Sequence, residues 1–175
     1  YDQYTPTEEY FVSRSEVEII RWVFSKIHAA KCDFISVWNI SFDIPYILDR
    51  LKVNGGNAWQ IMCHPEVPND MRVCRFDEDK TPPGMLTHWS HKWHFFHLSG
   101  YSQFYDSMCL YSRLRKVDGI ESSYALKTIA AKLLGTSKLD FGEDGHAIMQ
   151  RDRFTEYIAY NIVDTILLPL MDKVA

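Results

Sequence analysis

The sequence is poor in cysteine and has no long apolar run, and both absences restrict the kind of protein that it encodes. None of the four cysteines belongs to a Cys-x-x-Cys pair, so neither a disulfide framework nor a zinc ribbon is indicated. Free thiols are typical of a reducing cytoplasm. No apolar run is long enough to cross a bilayer, and we find no signal peptide. We therefore expect a cytoplasmic protein without a membrane partner.

The chain also lacks an excess of positive charge. Its net charge of −4 provides no basic field to attract nucleic acid, so a nucleic-acid partner has to be held locally or through bound cations. With 175 residues, of which 46% are hydrophobic, the chain is large enough for one globular core. We expect a single domain over residues 1–175, with an irregular insertion at about residues 57–92, where turn-forming residues are frequent.

The first half of the chain alternates helix and strand patterns. Ser15 and Glu18 form a capping box that opens a helix over residues 15–31. The apolar stretch at residues 33–38 is typical of a buried strand, and residues 43–53 have helical spacing. A helix, buried strand and helix in this order indicate an α/β sheet, which binds ligands at the carboxyl ends of its strands.

Asn39 and Asp43 stand where that strand meets its helix, in "VWNISFDIPYILDRL". Asp43 has two interpretations, since a carboxylate here either caps the helix or belongs to a binding site. Pro45 is expected in the first turn, where its missing N–H has no consequence.

The second half of the chain ends in a long predicted helix. Before it, residues 92–100 and 101–107 read as strands, 107–117 and 122–135 as helices, and 137–149 as a polar loop. The final helix covers residues 152–173, and its expected inner positions include Ile158, Ile162 and Ile166.

Tyr160 and Asp164 lie four residues apart in that helix and therefore share one face. Asp164 interrupts an apolar run, so it is either a boundary residue that reaches water or a carboxylate that binds a cation. An Asn-x-x-x-Asp strand-to-helix tip followed by a helical Tyr-x-x-x-Asp suits a two-metal nuclease, because hard divalent ions prefer carboxylate oxygens. On this hypothesis, Asp43 and Asp164 converge on one pocket.

The same two segments, "VWNISFDIPYILDRL" and "YIAYNIVDTILLPLMDK", closely resemble the Exo II and Exo III motifs of a known family. This family is the 3′–5′ proofreading exonuclease domain of family B DNA polymerases, especially those of phages. "FYDSMCLYSRLR" and "SSYALKTIAAKLLG" resemble its intervening segments, and the resemblance covers about residues 15–173. It implies an α/β, RNase H-like fold of the DnaQ-like exonuclease type, with a mixed sheet flanked by helices.

The resemblance also implies roles for individual residues. Asp43 and Asp164 would bind two divalent cations, Mg²⁺ or Mn²⁺, and Tyr160 would position the nucleophilic water. Asn39 and Phe42 would lie near the terminal nucleotide. The implied reaction is two-metal hydrolysis of the 3′-terminal phosphodiester of single-stranded DNA, and the implied partners are that DNA end and the remainder of a DNA polymerase.

The chain departs from the family pattern at Exo I, an Asp-x-Glu pair on an early strand. Residues 1–14 contain no such pair, and the Asp77-x-Asp79 sequence lies in the turn-rich insertion. We therefore expect a fragment that lacks its N-terminal strands, binds cations weakly and has little exonuclease activity by itself. Its uncovered sheet edge invites self-association. Asp106 matches a recurrent family aspartate, for which we expect a structural role.

Two other functions remain open at this point. The first is a noncatalytic, exonuclease-like module that binds DNA or another partner. The second is a metal-binding protein that uses histidines recurring at every third position near Cys63 and Cys74; these are His88, His91, His94 and His97. The alternative for the histidines is a strand pair with aromatic packing. A small basic cluster, Arg113, Arg115 and Lys116, either contacts a phosphate backbone or forms a solvated face.

Overall fold

The computed structural model describes residues 9–82, 85, 87–135 and 146–174. These residues form two compact units, the first within residues 1–86 and 92–106 and the second within residues 87–91 and 107–175. Helices and small sheets occur together, which confirms the α/β class and agrees with an exonuclease domain of the RNase H-like type.

The first unit contains both sheets. Its described elements are α1 (Glu16–Ala30), β1 (Phe34–Val37), α2 (Ile40–Val53), α3 (Ala58–Met62), β2 (Cys74–Asp77), β3 (Phe95–Leu98) and β4 (Gln103–Asp106). The second unit is helical and comprises α4 (Ser107–Leu114), α5 (Leu126–Leu134), α6 (His146–Asp152) and α7 (Phe154–Val174). Short 3₁₀ turns occur at Asn69–Met71, Trp89–His91 and Lys116–Asp118.

The strands pair in two ways. β1 and β4 are parallel, with Phe34 opposite Gln103 and Val37 opposite Asp106. β2 and β3 are antiparallel. Because both strands of the parallel pair end at the same edge, the residues that follow Val37 emerge beside Asp106.

The core of the first unit lies between its helices and strands. The members of the buried apolar cluster are Phe24, Ile40, Ile44, Leu51, Ile61, Met62 and Phe96. The predicted start of α1 is confirmed, since Ser15 is the N-cap and its hydroxyl accepts the Glu18 N–H. The two predicted strands at residues 92–107 are also confirmed as β3 and β4.

The predicted start of α2 is wrong. The helix begins at Ile40, so Asn39 occupies the N-cap position and Asp43 lies in the first turn instead of capping the helix. The Asn39 carbonyl accepts the N–H groups of Phe42 (3.1 Å) and Asp43 (3.0 Å). Pro45 consequently lies inside the helix, where it cannot donate the backbone hydrogen bond that other residue types would make at this position.

Two expectations about the C-terminal part also need correction. Residues 146–149, predicted as loop, belong to α6, whereas residues 137–145 lie outside the described part of the chain. In α7 the buried side chains are Leu167 and Met171, while Ile166 is 44% exposed. Ile158 and Ile162 are partly buried, so of the three expected inner positions the structure contradicts Ile166. The helix carries apolar residues around most of its circumference, which makes its inner face hard to identify from the sequence period. Among the described helices, none combines the length and hydrophobicity required to cross a bilayer.

The buried His28, near the end of α1, is expected to make the stability of the first unit depend on pH. Its Nε2 lies 2.8 Å from the carbonyl oxygen of Met62, so this nitrogen carries the proton and donates. Burial lowers the pKa of His28 below its usual value, more than the hydrogen bond to Met62 raises it, and nearby His64 lowers it further. The imidazole is therefore neutral in the folded protein at neutral pH.

We expect the free energy of unfolding to fall as the pH drops below about 6.5, the ordinary histidine pKa, towards the lowered pKa of folded His28. In that pH range the imidazole of residue 28 binds a proton in the unfolded chain but stays neutral in the folded chain. Urea unfolding at pH 7.5 and pH 5.5 measures the difference. His28→Gln should reduce the difference, and the exposed His91→Gln should leave it unchanged. An equal pH dependence in wild type and His28→Gln would contradict this prediction.

Candidate metal and nucleic-acid site

The candidate site in the first unit starts from the carboxyl ends of β1 and β4. The Asp106 carboxylate accepts the Ile40 N–H at 3.1 Å, and both residues are almost fully buried. Ile40 is the first residue of α2, and the N–H groups of a first helical turn lack partners within the helix. Asp106 therefore satisfies one of them and places a negative charge at the positive end of the helix dipole. The expected structural role of Asp106 agrees with this contact.

Asn39, at the N-cap, and Asp43, in the first turn, lie on either side of the N–H anchored in this way. Both side chains are partly buried. The Asn39 Oδ1 accepts a hydrogen bond from the Ser41 hydroxyl at 2.8 Å, so the amide orientation is set locally. The carboxylate of Asp43, near the positive end of α2, offers the hard oxygen ligands that Mg²⁺ and Mn²⁺ prefer.

Phe42 and Tyr46 form an exposed aromatic pair on α2. Their ring centroids are 6.4 Å apart, the ring planes differ by 5°, and the residues are 67% and 59% exposed. Flat, exposed rings of this kind are suited to stacking on nucleic-acid bases. We identified Phe42 from the sequence but missed Tyr46, although its spacing of one helical turn from Phe42 was a usable signal.

Tyr160 and Asp164 belong to the second unit. Both lie in α7, one helical turn apart, and both are partly buried. The helix therefore holds a phenol and a carboxylate on one face, as the sequence predicts. Since Asp43 belongs to the first unit, a shared site between Asp43 and Asp164 stays a prediction.

The recurring histidines each have a protein partner. His88 lies within hydrogen-bond distance of the Ser90 hydroxyl (2.8 Å) and the Tyr124 hydroxyl (3.1 Å). His91 lies 2.9 Å from the Lys116 ammonium. These contacts stay within the second unit and agree with a structural interpretation of both side chains.

His94 and His97 stabilise the region around β2 and β3. His94 is buried, and its Nδ1 accepts the Asp79 N–H at 3.2 Å. His97 lies 3.2 Å from the Asp77 carboxylate, which also pairs with Arg75 at 2.7 Å. The Asp79 carboxylate accepts the Trp93 N–H at 2.9 Å. Because both carboxylates bind groups in or next to β2 and β3, their contacts give no support for Asp77-x-Asp79 as a replacement for Exo I.

The side chains of the small basic cluster in the second unit also contact protein groups. Arg115 forms an ion pair with Asp118 at 3.3 Å, and Arg113 donates to the Ser90 carbonyl at 3.3 Å. With Lys116 beside His91, all three cations contact protein groups. These contacts agree with the interpretation of the cluster as a solvated face whose cations pair with neighbouring protein groups.

Comparison of the sequence with known proteins identifies a family. Residues 2–129 match the family described as DNA polymerase family B, exonuclease domain. The matched residues include Asp43 and Asp106, whereas Tyr160 and Asp164 follow them in the chain. No curated protein matches the sequence. Since the family match spans well over half of the 175 residues, the chain belongs to the exonuclease domain family of family B DNA polymerases.

Proposed function

We propose that the chain forms part of a 3′–5′ proofreading exonuclease that hydrolyses the terminal phosphodiester of single-stranded DNA. The observation that carries the proposal is the strand-to-helix tip, where α2 starts at the carboxyl edge of a parallel strand pair with Asp43 in its first turn. The family match covers this tip. Open α/β sheets bind ligands at this edge, and hydrolysis of a phosphodiester suits carboxylate-bound cations.

Asp43 and Asp164 are the proposed metal ligands. Both side chains are partly buried. Both are carboxylates, which supply the oxygen ligands that Mg²⁺ and Mn²⁺ prefer. When bound, a pair of such cations activates a water molecule and stabilises the leaving oxygen. Two carboxylates hold two divalent ions weakly, and we propose that further carboxylates of the intact polymerase complete the site. The Tyr160 hydroxyl is the proposed group that orients the attacking water.

The edge of β1 is the proposed contact with that additional part. Among the described strands, β4 is the neighbour to which β1 is hydrogen-bonded. An open strand edge can accept another strand by backbone hydrogen bonding. We propose that this strand comes from the intact polymerase or, for the isolated chain, from a second copy.

DNA is proposed to bind through stacking. The Phe42 and Tyr46 rings present flat surfaces next to the tip that holds Asp43, and Asn39 supplies an amide for the terminal nucleotide. Stacking is tolerant of sequence because every base has an aromatic face, so little base preference is expected.

Phe42→Ala is expected to weaken binding of a single-stranded oligonucleotide by roughly 5- to 150-fold, because stacking on one aromatic contributes about 1–3 kcal/mol. Fluorescence anisotropy with a labelled oligothymidylate in the presence of Ca²⁺ measures this binding. Phe34→Ala is the matched control, since Phe34 is an equally exposed phenylalanine (68%) in the same unit, on β1. Equal losses in both variants would contradict the assignment of Phe42 as a specific stacking residue.

The proposed activity itself is tested with a 5′-labelled single strand and Mg²⁺ or Mn²⁺. The intact polymerase should shorten the strand stepwise from its 3′ end and release mononucleotides. The 175-residue chain alone should bind the strand but digest it far more slowly. Digestion by the isolated chain at a rate comparable with the intact enzyme would refute the proposed need for additional carboxylates.

A further inference from the structure

The first unit contains a cleft of about 480 Å³ beside the C-terminal half of α1. Its buried lining includes His28, Ile61 and Cys63. Polar side chains, all exposed, surround this buried part; they are Arg21, Ser25, Lys31, Gln60 and Glu66. The volume lies within the range of about 300–1,000 Å³ that is typical of small-molecule sites. None of the residues proposed for metal or DNA binding lines this cleft.

Two cations in this cleft are available to a ligand. Arg21 and Lys31 form no ion pair or side-chain hydrogen bond with the described residues. Glu66 is the acidic residue in the lining, so the fixed charges sum to one positive charge. The cleft therefore favours an anion, although Glu66 and the nearby carboxyl end of α1 limit its affinity.

The two histidines of the cleft have defined hydrogen-bonding roles. His28 donates from Nε2 to the Met62 carbonyl, which fixes its tautomer, and its ring packs edge-on against His64 at 5.0 Å. His64 accepts the Glu66 N–H at Nδ1, so the neutral ring carries its proton on Nε2. His64 consequently adds an N–H donor to those of Arg21 and Lys31.

We propose that this cleft binds a small phosphate-bearing molecule of mononucleotide size. An arginine fork, an ammonium and a histidine N–H are the donors that phosphate groups prefer. The apolar surfaces of Ile61 and the neighbouring lining provide contact area for an uncharged portion. The proposal is independent of Asp43 and Asp164, because the cleft is complete within the first unit.

The test is an amide chemical-shift titration of the 175-residue chain with dAMP, with inorganic phosphate and with deoxyadenosine as separate probes. We expect saturable shifts for the phosphate-bearing probes at Gln60, Ile61 and His64. The double variant Arg21→Ala/Lys31→Ala should weaken dAMP binding by about tenfold or more. Glu66→Gln should tighten it, because the substitution removes the acidic charge of the lining.

The matched control is Lys52→Ala/Lys80→Ala, which also removes two exposed cations from the first unit but leaves the cleft intact. It should leave the affinity within about twofold of wild type, since screened charges outside the site contribute little. dAMP should bind more tightly than inorganic phosphate and deoxyadenosine, and equal binding of dAMP and phosphate would contradict a ligand of mononucleotide size. Absence of saturable shifts at the cleft, or equal losses in both double variants, would overturn the proposal.

Discussion

Replacing Asp43 by Ala in the proposed parent polymerase is expected to lower the proposed 3′–5′ exonuclease activity by about 100-fold or more and to leave nucleotide incorporation unchanged. Charge stabilisation by a correctly held cation is worth several kcal/mol, and each 1.36 kcal/mol corresponds to about tenfold in rate. Loss of one carboxylate ligand removes much of that stabilisation. Release of labelled mononucleotides from a single strand at saturating Mg²⁺ measures the effect.

Asp49→Ala is the matched control for this substitution. Asp49 lies in the same helix as Asp43 but is exposed, and Arg50 beside it pairs with Glu16 at 2.8 Å. Its loss should change exonuclease activity by less than about twofold, because an exposed charge outside the site contributes little. A comparable decrease in the two variants would show that α2 tolerates charge loss poorly and would remove the case for Asp43 as a ligand.

The double variant Asp43→Ala/Asp164→Ala tests whether the two carboxylates share one site. When two groups act as a unit, the loss of activity in the double variant is much smaller than the product of the two single losses. When they act independently, the two fold-losses multiply. We expect the double variant to be about as inactive as the more damaging single variant. If the two losses multiply instead, Asp43 and Asp164 act separately, and the shared two-cation site is wrong.

Local patterns predicted the helices and strands best where the responsible contacts are close in sequence. The start of α1 depends on Ser15 and Glu18, three residues apart, and the structure confirms the cap. The start of α2 was predicted three residues too late because its first N–H finds its acceptor on Asp106, 66 residues further along the chain. No helical period contains that information.

The same distinction applies to the candidate site: residues within one segment were predicted, whereas contacts between distant segments were not. Tyr160 and Asp164 were recognisable because both lie on one helix. Asn39, Phe42 and Asp43 were recognisable because they lie within a few residues of one another at the start of α2. Whether two such segments meet depends on tertiary packing, which their spacing in the sequence does not encode. The phosphate cleft was missed for this reason, since α1 and the segment around His64 contribute to it from separate parts of the chain.

Asp106→Ala is expected to destabilise the first unit by about 1–3 kcal/mol, because it leaves the N–H of the buried Ile40 without an acceptor. The loss also removes a negative charge from the positive end of α2, a contribution of about 0.3–1 kcal/mol in exposed settings. Asp106→Asn retains an acceptor oxygen and should destabilise less than the alanine variant. Chemical unfolding followed by circular dichroism measures the order of the three proteins.

Asp77→Ala provides the comparison that separates burial from charge. Asp77 ends β2 as Asp106 ends β4, but its side chain is 45% exposed and pairs with the exposed Arg75. An exposed pair contributes about 0–1 kcal/mol, so Asp77→Ala should destabilise clearly less than Asp106→Ala. If both variants lose the same stability, the Asp106–Ile40 bond does not anchor α2. Because that bond positions the first turn that carries Asp43, a confirmed loss in Asp106→Ala should be accompanied by weaker Mn²⁺ binding, whereas Asp77→Ala should bind Mn²⁺ as wild type does.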